Sequence, residues 1–60
     1  MNKLLNVPEV AEILRISPHT LRTWIAKDMI PIVRIGRRIL FDEVDIIEFI
    51  EKGKEVNNDN

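Results

Sequence analysis

Two helix-start signals lie close together near the beginning of the chain. Asn6 is placed to cap the free backbone N–H groups of a turn that contains Pro8, and Glu9 lies three residues after the cap. Ser17 provides a second cap, and Pro18 takes the first helical position, where its missing N–H costs nothing. Apolar residues at helical spacing follow each cap: Val10, Ile13 and Leu14 after the first, and Leu21, Trp24 and Ile25 after the second. Both segments are therefore predicted to be short amphipathic helices.

The two predicted helices, over about residues 7–14 and 18–27, are separated by only three residues. A connection this short requires a sharp turn between the helices. The pattern therefore predicts a helix-turn-helix.

The face of the second helix opposite its apolar stripe is predicted to be exposed. It carries small polar and cationic residues: His19, Thr20, Arg22, Thr23, Ala26 and Lys27. Such a face on a projecting helix suits the major groove of duplex DNA, where Arg22 would bond a guanine edge and His19 and Thr23 would bond bases. Lys27, and the Ser17 end with its free N–H groups, are expected to contact phosphates. The alternative is that these are ordinary solvent-exposed helix positions.

Residues 32–41 change to the period of a β-strand and are interrupted by Gly36-Arg37. Glycine at the first of two loop residues predicts a hairpin with a type II′ turn. We expect Val33, Ile35, Ile39 and Phe41 to face inward and Arg34, Arg38 and Leu40 to face outward. The basic residues Arg34, Arg37 and Arg38, with no acid between Asp28 and Asp42, indicate a wing that presses on phosphates or into a minor groove. The alternative is that they only protect edge strands from aggregation.

A third helix is predicted after Asp42, which caps it with Asp45 three residues on. Its apolar face is expected to hold Ile46, Ile47, Phe49 and Ile50, and its solvated face Glu43, Glu48, Glu51 and Lys52. Gly53 is expected to end this helix as its C′ residue. We predict one domain over residues 4–52, mainly α with a β-hairpin, and a disordered tail over residues 53–60.

The charge is divided unevenly along the chain. The net charge is -1, but residues 1–41 carry seven basic and three acidic residues, and residues 42–60 carry two basic and seven acidic residues. A basic body followed by an acidic end indicates a polyanionic partner for the first part.

Composition excludes several classes of site. The chain has no cysteine and one histidine, which excludes disulfides and thiolate zinc sites and leaves no basis for a nucleophile–base pair. We expect no enzyme activity, no metal and no cofactor. No apolar run approaches the roughly 20 residues of a membrane span, and the first residues do not resemble a signal peptide. A cytoplasmic, nucleoid-associated protein is expected.

Three segments together resemble the excisionase-type helix-turn-helix domain family, small winged-helix relatives of the MerR DNA-binding domain. They are LLNVPEVAEIL (residues 4–14), ISPHTL (16–21) and IPIVRIGRR (30–38). The resemblance implies duplex DNA binding, with the second helix in the major groove and the hairpin on the flanking backbone. By position it implies groove or phosphate contacts at Ser17, His19, Thr20, Arg22, Thr23 and Lys27, and wing contacts at Arg34, Arg37 and Arg38. The family usually has glycine where this chain has Arg15 and Asp28.

Stand-alone members of that family bend DNA for an integrase or act as small phage and mobile-element regulators. The resemblance therefore favours an excisionase-like architectural factor in site-specific recombination, with an integrase as partner and cooperative self-association on DNA. One alternative is a MerR-like transcriptional regulator, although the chain shows no heptads for a dimerising coiled coil. Another is an adaptor that docks a basic partner through the acidic third helix.

Overall fold

A computed structural model describes residues 3–55 of the chain as three helices and a small antiparallel sheet. In chain order the elements are β1 (Leu4–Leu5), α1 (Val7–Leu14), α2 (Pro18–Ala26), β2 (Val33–Ile35), β3 (Arg38–Asp42) and α3 (Glu43–Gly53). This is the predicted winged helix-turn-helix arrangement, with one further strand. The predicted tail falls largely on residues 56–60, which lie outside the described residues.

The predicted caps begin all three helices. The Asn6 side chain accepts the Glu9 N–H (2.9 Å) and the Glu9 carboxylate accepts the Asn6 N–H (2.8 Å), which completes a capping box. Ser17 Oγ accepts the Thr20 N–H at 3.0 Å. Asp42 Oδ1 accepts the Val44 N–H at 2.9 Å, so the cap of α3 is made as predicted.

Two non-glycine residues end α1 and α2 in the left-handed conformation. Arg15 has φ 61° and Asp28 has φ 60°. After each of them, the next residue donates its N–H to the carbonyl five positions back, at 3.0 and 2.9 Å. This bond is typical of a helix end that normally uses glycine, and it accounts for the sharp turn between α1 and α2.

The core lies between the inner face of the sheet and the three helices. Its buried side chains come from every part of the domain: Leu5, Val10, Ala11, Leu21, Ile30, Phe41 and Ile46. On the helices, two residues that were predicted to face the core do not join it, since Ile13 is 48% exposed and Ile47 is 52% exposed. On α1 the inward stripe includes Ala11 instead, because a short helix buries only one narrow arc of its surface.

β1 has no counterpart among the elements predicted from the sequence. The strand is two residues long and exists because it pairs with β3, with Leu5 opposite Phe41 and Leu4 opposite Asp42. Leu5 is thereby buried on the inner face of the sheet. The pairing places β3 in the centre of the sheet, in the order β1-β3-β2.

The hairpin turn is as predicted, and so are the faces of β3, where Ile39 and Phe41 lie on the core side. The predicted faces of β2 are wrong. Ile35 pairs with Arg38 across the two-residue turn, and Gly36 has φ +59° while Arg37 is not left-handed, which fits type II′. Because paired residues share a face, Val33 lies with Leu40 and Arg34 lies with Ile39. The core side therefore carries Arg34 and Ile39, and the outer side carries Val33, Ile35, Arg38 and Leu40.

The end of α3 also differs from the prediction. Gly53 is the last helical residue and has no positive φ, whereas Lys54 follows it with an extended backbone. No left-handed C′ residue is needed here, because the chain leaves the helix in an extended direction. Lys54 donates its N–H to the Glu51 carbonyl at 3.2 Å.

Candidate nucleic-acid interface

The exposed side of α2 forms one continuous stripe. Its members are spaced as neighbours on a helix surface: His19, Arg22, Thr23 and Ala26. Leu21, on the other side of the helix, is completely buried. Trp24 also anchors that side, because its ring lies 6.0 Å from the ring of Phe49 in α3. The core thus fixes which side of α2 is turned outward, as the sequence predicts.

The first turn of α2 is built around two hydroxyl groups. Ser17 Oγ accepts the Thr20 N–H and donates to Thr20 Oγ1, both at 3.0 Å. Pro18 has no N–H, so within the described residues the free amide of this turn belongs to His19. The turn contains no acidic residue. This amide is not named among the contacts predicted above, although Pro18 beside a serine cap is the sequence signal that identifies it.

A hydrogen bond within α2 fixes the orientation of the Thr23 hydroxyl group. Its hydroxyl donates to the His19 carbonyl at 3.1 Å. With its hydrogen directed at the backbone, Thr23 Oγ1 presents acceptor lone pairs to the outside. Thr23 is half-buried, whereas His19 and Arg22 are exposed.

The basic side chains on α2 and the hairpin have no acidic partner within residues 3–55. The ion pair in that range joins Lys54 and Glu51 at 3.3 Å. Five exposed cations are therefore left without intramolecular neutralisation: Arg22, Lys27, Arg34, Arg37 and Arg38. Unpaired exposed cations are what attraction of a polyanion requires.

The three hairpin arginines do not share one face. Arg37 lies in the turn, whereas Arg34 and Arg38 project from opposite faces of the two-stranded ribbon. All three are exposed. The arrangement surrounds the tip of the hairpin with positive charge instead of lining one surface of it.

Other kinds of site are not found in the part of the chain that the structure describes. Residues 3–55 form no pocket and no cluster of potential metal ligands. Within the same range, no helix has the length and apolar character needed to cross a bilayer. The features that remain as a candidate site are the α2 stripe and the basic hairpin tip.

Comparison with known proteins gives one match. A family model described as a helix-turn-helix domain matches residues 4–54, which is most of the chain. No curated protein and no solved structure matches the chain. The matched range includes α2, the hairpin and the complete core, and the match supports DNA binding.

Proposed function

Because the chain belongs to the helix-turn-helix domain family, a family that includes excisionase-like domains, we propose that it binds duplex DNA sequence-specifically through α2 and the hairpin. In this proposal α2 lies in the major groove and the hairpin is the wing on the flanking backbone. The observation that carries it is the set of exposed cations on these two elements that have no partner within residues 3–55. Families of this kind are typically non-enzymatic.

The α2 stripe supplies the base contacts. Arg22 offers a planar guanidinium that suits the two acceptors of a guanine edge. Thr23 Oγ1, whose hydrogen is donated to the His19 carbonyl, accepts from the amino group of an adenine or a cytosine. Ala26 has only a methyl group, so the helix approaches the bases closely at that point. His19 bonds a base or a phosphate near the start of the helix.

The remaining contacts are to phosphates. Ser17, Thr20 and the His19 amide hold one phosphate at the start of α2, and Lys27 reaches another from its end. The arginines Arg34, Arg37 and Arg38 surround the hairpin tip. A tip-first approach lets those on opposite faces contact the two strands that border a groove.

The proposed role is architectural. An excisionase-like factor in recombination of a mobile element bends DNA so that an integrase assembles on it, which makes an integrase the expected partner. The protein then works in the cytoplasm on the nucleoid. The adaptor alternative is supported by one observation, the exposed Val44 and Ile47 between the carboxylates of α3.

The test begins with selection of a preferred duplex from random sequences, followed by binding measurements with two variants. Arg22→Ala should lose about 1–3 kcal/mol of discrimination at one base pair. Arg37→Ala should weaken binding to all sequences similarly and make the salt slope about 1 unit shallower. Lys52→Ala removes the same charge from α3 and is the matched control, with no change expected.

Wild-type protein contacting about four to six phosphates should show a slope of about -3.6 to -5.4 in log affinity against log salt. Between 50 and 200 mM salt this is a loss of about 150- to 1,800-fold. A nearly flat salt response, or wild-type affinity in both arginine variants, would show that this surface does not bind DNA.

A further inference from the structure

The outer face of the hairpin carries three apolar side chains that do not pack against the core, one of them exposed and two half-buried. The three are Val33, Ile35 and Leu40, and together with Arg38 they form the surface that we call the hairpin outer face. The register places them opposite the side that meets the core, and Ile35 is 49% exposed. Ile39, on the other side, packs against the core, whereas none of the three does so.

A second apolar surface lies on α3. Val44 is 42% exposed and Ile47 is 52% exposed, and their spacing of three residues makes them neighbours on the helix. We call this pair the α3 strip. Exposed carboxylates border it at Glu43 and Glu48.

We propose that the hairpin outer face of one copy docks on the α3 strip of a second copy bound beside it on DNA. The inference rests on the proposed DNA binding and adds the contact between neighbouring copies. Charge supports a second copy as the occupant, because Arg38 lies beside Ile35 on the hairpin outer face while glutamates border the α3 strip. The chain therefore carries both halves of a contact that matches in apolar surface and in charge.

DNA binding by the wing does not compete with this contact. A guanidinium has five N–H donors, so Arg38 bound to a phosphate retains donors for a carboxylate of the neighbouring copy. The α3 strip lies on an element to which the proposed DNA interface assigns no contact. The contact joins two different surfaces, the hairpin outer face of one copy and the α3 strip of the next. A copy that uses one surface therefore still has the other free for a further copy. Binding to a long duplex is then cooperative.

The experiment compares a duplex of about one helical turn, which holds one copy, with a duplex of about three turns of the same sequence. Wild-type protein should bind each added site about 5- to 150-fold more tightly when its neighbour is filled, the usual range of coupling between sites. Ile35→Ser and Ile47→Ser should each abolish this coupling and leave affinity for the short duplex unchanged. Ile13→Ser alters an isoleucine that is 48% exposed on α1 and should keep the coupling.

Mixing the two variants tests the pairing directly. The Ile35→Ser protein keeps an intact α3 strip and the Ile47→Ser protein keeps an intact hairpin outer face. An equimolar mixture should therefore regain part of the coupling, whereas a chain carrying both substitutions should not. Loss of coupling in the Ile13→Ser control, or no recovery in the mixture, would overturn the assignment of these surfaces.

A measurement without DNA separates this inference from the proposed function. Labelled Ile35→Ser protein titrated with unlabelled Ile47→Ser protein should show NMR shifts at the α3 amides, even if neither duplex is bound. Absence of both coupling and shifts overturns the contact while leaving binding to the short duplex intact. Shifts produced only by a basic peptide would show that the α3 strip takes a foreign partner instead, and would also overturn it.

Discussion

Replacing Arg15 with glycine should stabilise the domain, because Arg15 ends α1 with φ 61°. A left-handed conformation costs an L-residue about 1–2 kcal/mol. Glycine removes this cost but loses about 0.4–1 kcal/mol through the greater freedom of the unfolded chain. The difference is a net gain of about 0.8 kcal/mol, or a rise in Tm of about 3–6 °C in a domain of this size.

The Arg15 side chain is exposed and makes no hydrogen bond or ion pair within residues 3–55, so the substitution removes no polar interaction. Thermal unfolding followed by circular dichroism measures the effect. Arg15→Ala is the control, since alanine removes the charge but keeps the strain and should change stability by less than about 0.5 kcal/mol. Asp28→Gly should give a smaller rise, because aspartate tolerates φ 60° better than arginine does. An equal rise in Arg15→Ala and Arg15→Gly would refute the explanation by backbone strain.

Two further predictions concern the register of the hairpin and the proposed bending of DNA. Ile39→Thr should lower the free energy of unfolding by about 1–2 kcal/mol, because it puts a hydroxyl group against the core. Ile35→Thr, on the outer face, should change it by less than about 0.5 kcal/mol. Equal effects of the two substitutions in urea unfolding would contradict the register. The proposed architectural role requires the protein to bend the selected duplex by more than about 20°. The bend is measured from the gel mobility of complexes in which the site lies at different positions along the DNA fragment. Mobility that does not depend on the position of the site would indicate a regulator that does not bend DNA.

Features set by neighbouring residues could be predicted from the sequence. The caps at Asn6, Ser17 and Asp42 all form, because a side-chain oxygen reaches backbone N–H groups only two or three residues away. The type II′ turn depends in the same way on Gly36 alone. The limits of α1 match the prediction, and α2 ends one residue earlier than predicted.

Features set by distant pairing were missed or misassigned. β1 is only two residues long and has no signal of its own, since it forms through the pairing of Leu5 with Phe41. The faces of β2 were misassigned because Val33 and Ile35 alternate as core residues do, whereas the predicted faces of β3 are correct. The length of the turn predicts the face of Ile35 correctly. A two-residue turn places Ile35 opposite Arg38, and therefore on the outer face with it.

For the candidate site, the outward face of α2 follows from the sequence because Leu21 and Trp24 identify the buried side. The hydrogen bonds within that face do not follow from it. Thr23 donates to the His19 carbonyl, and Ser17 and Thr20 bond to each other, so three of the predicted DNA contacts are already partly committed within the helix. The residues of the face can be identified from the sequence, whereas the donors and acceptors that they still offer are seen only in the structure.

Basic and acidic residues lie in different parts of the chain, and this separation explains how a protein of net charge -1 is expected to bind a polyanion. Within residues 3–55 the ion pair lies inside the acidic region, between Glu51 and Lys54, so the carboxylates of α3 do not neutralise the cations of α2 and the hairpin. At physiological salt the Debye length is about 8 Å, which is shorter than the domain, so DNA interacts with the nearest charges and not with their sum. Phosphates then attract residues 1–41, with a net charge of +4, and repel residues 42–60, with a net charge of -5. In the proposed complex these two effects together orient the domain, so that α3 is directed away from the duplex.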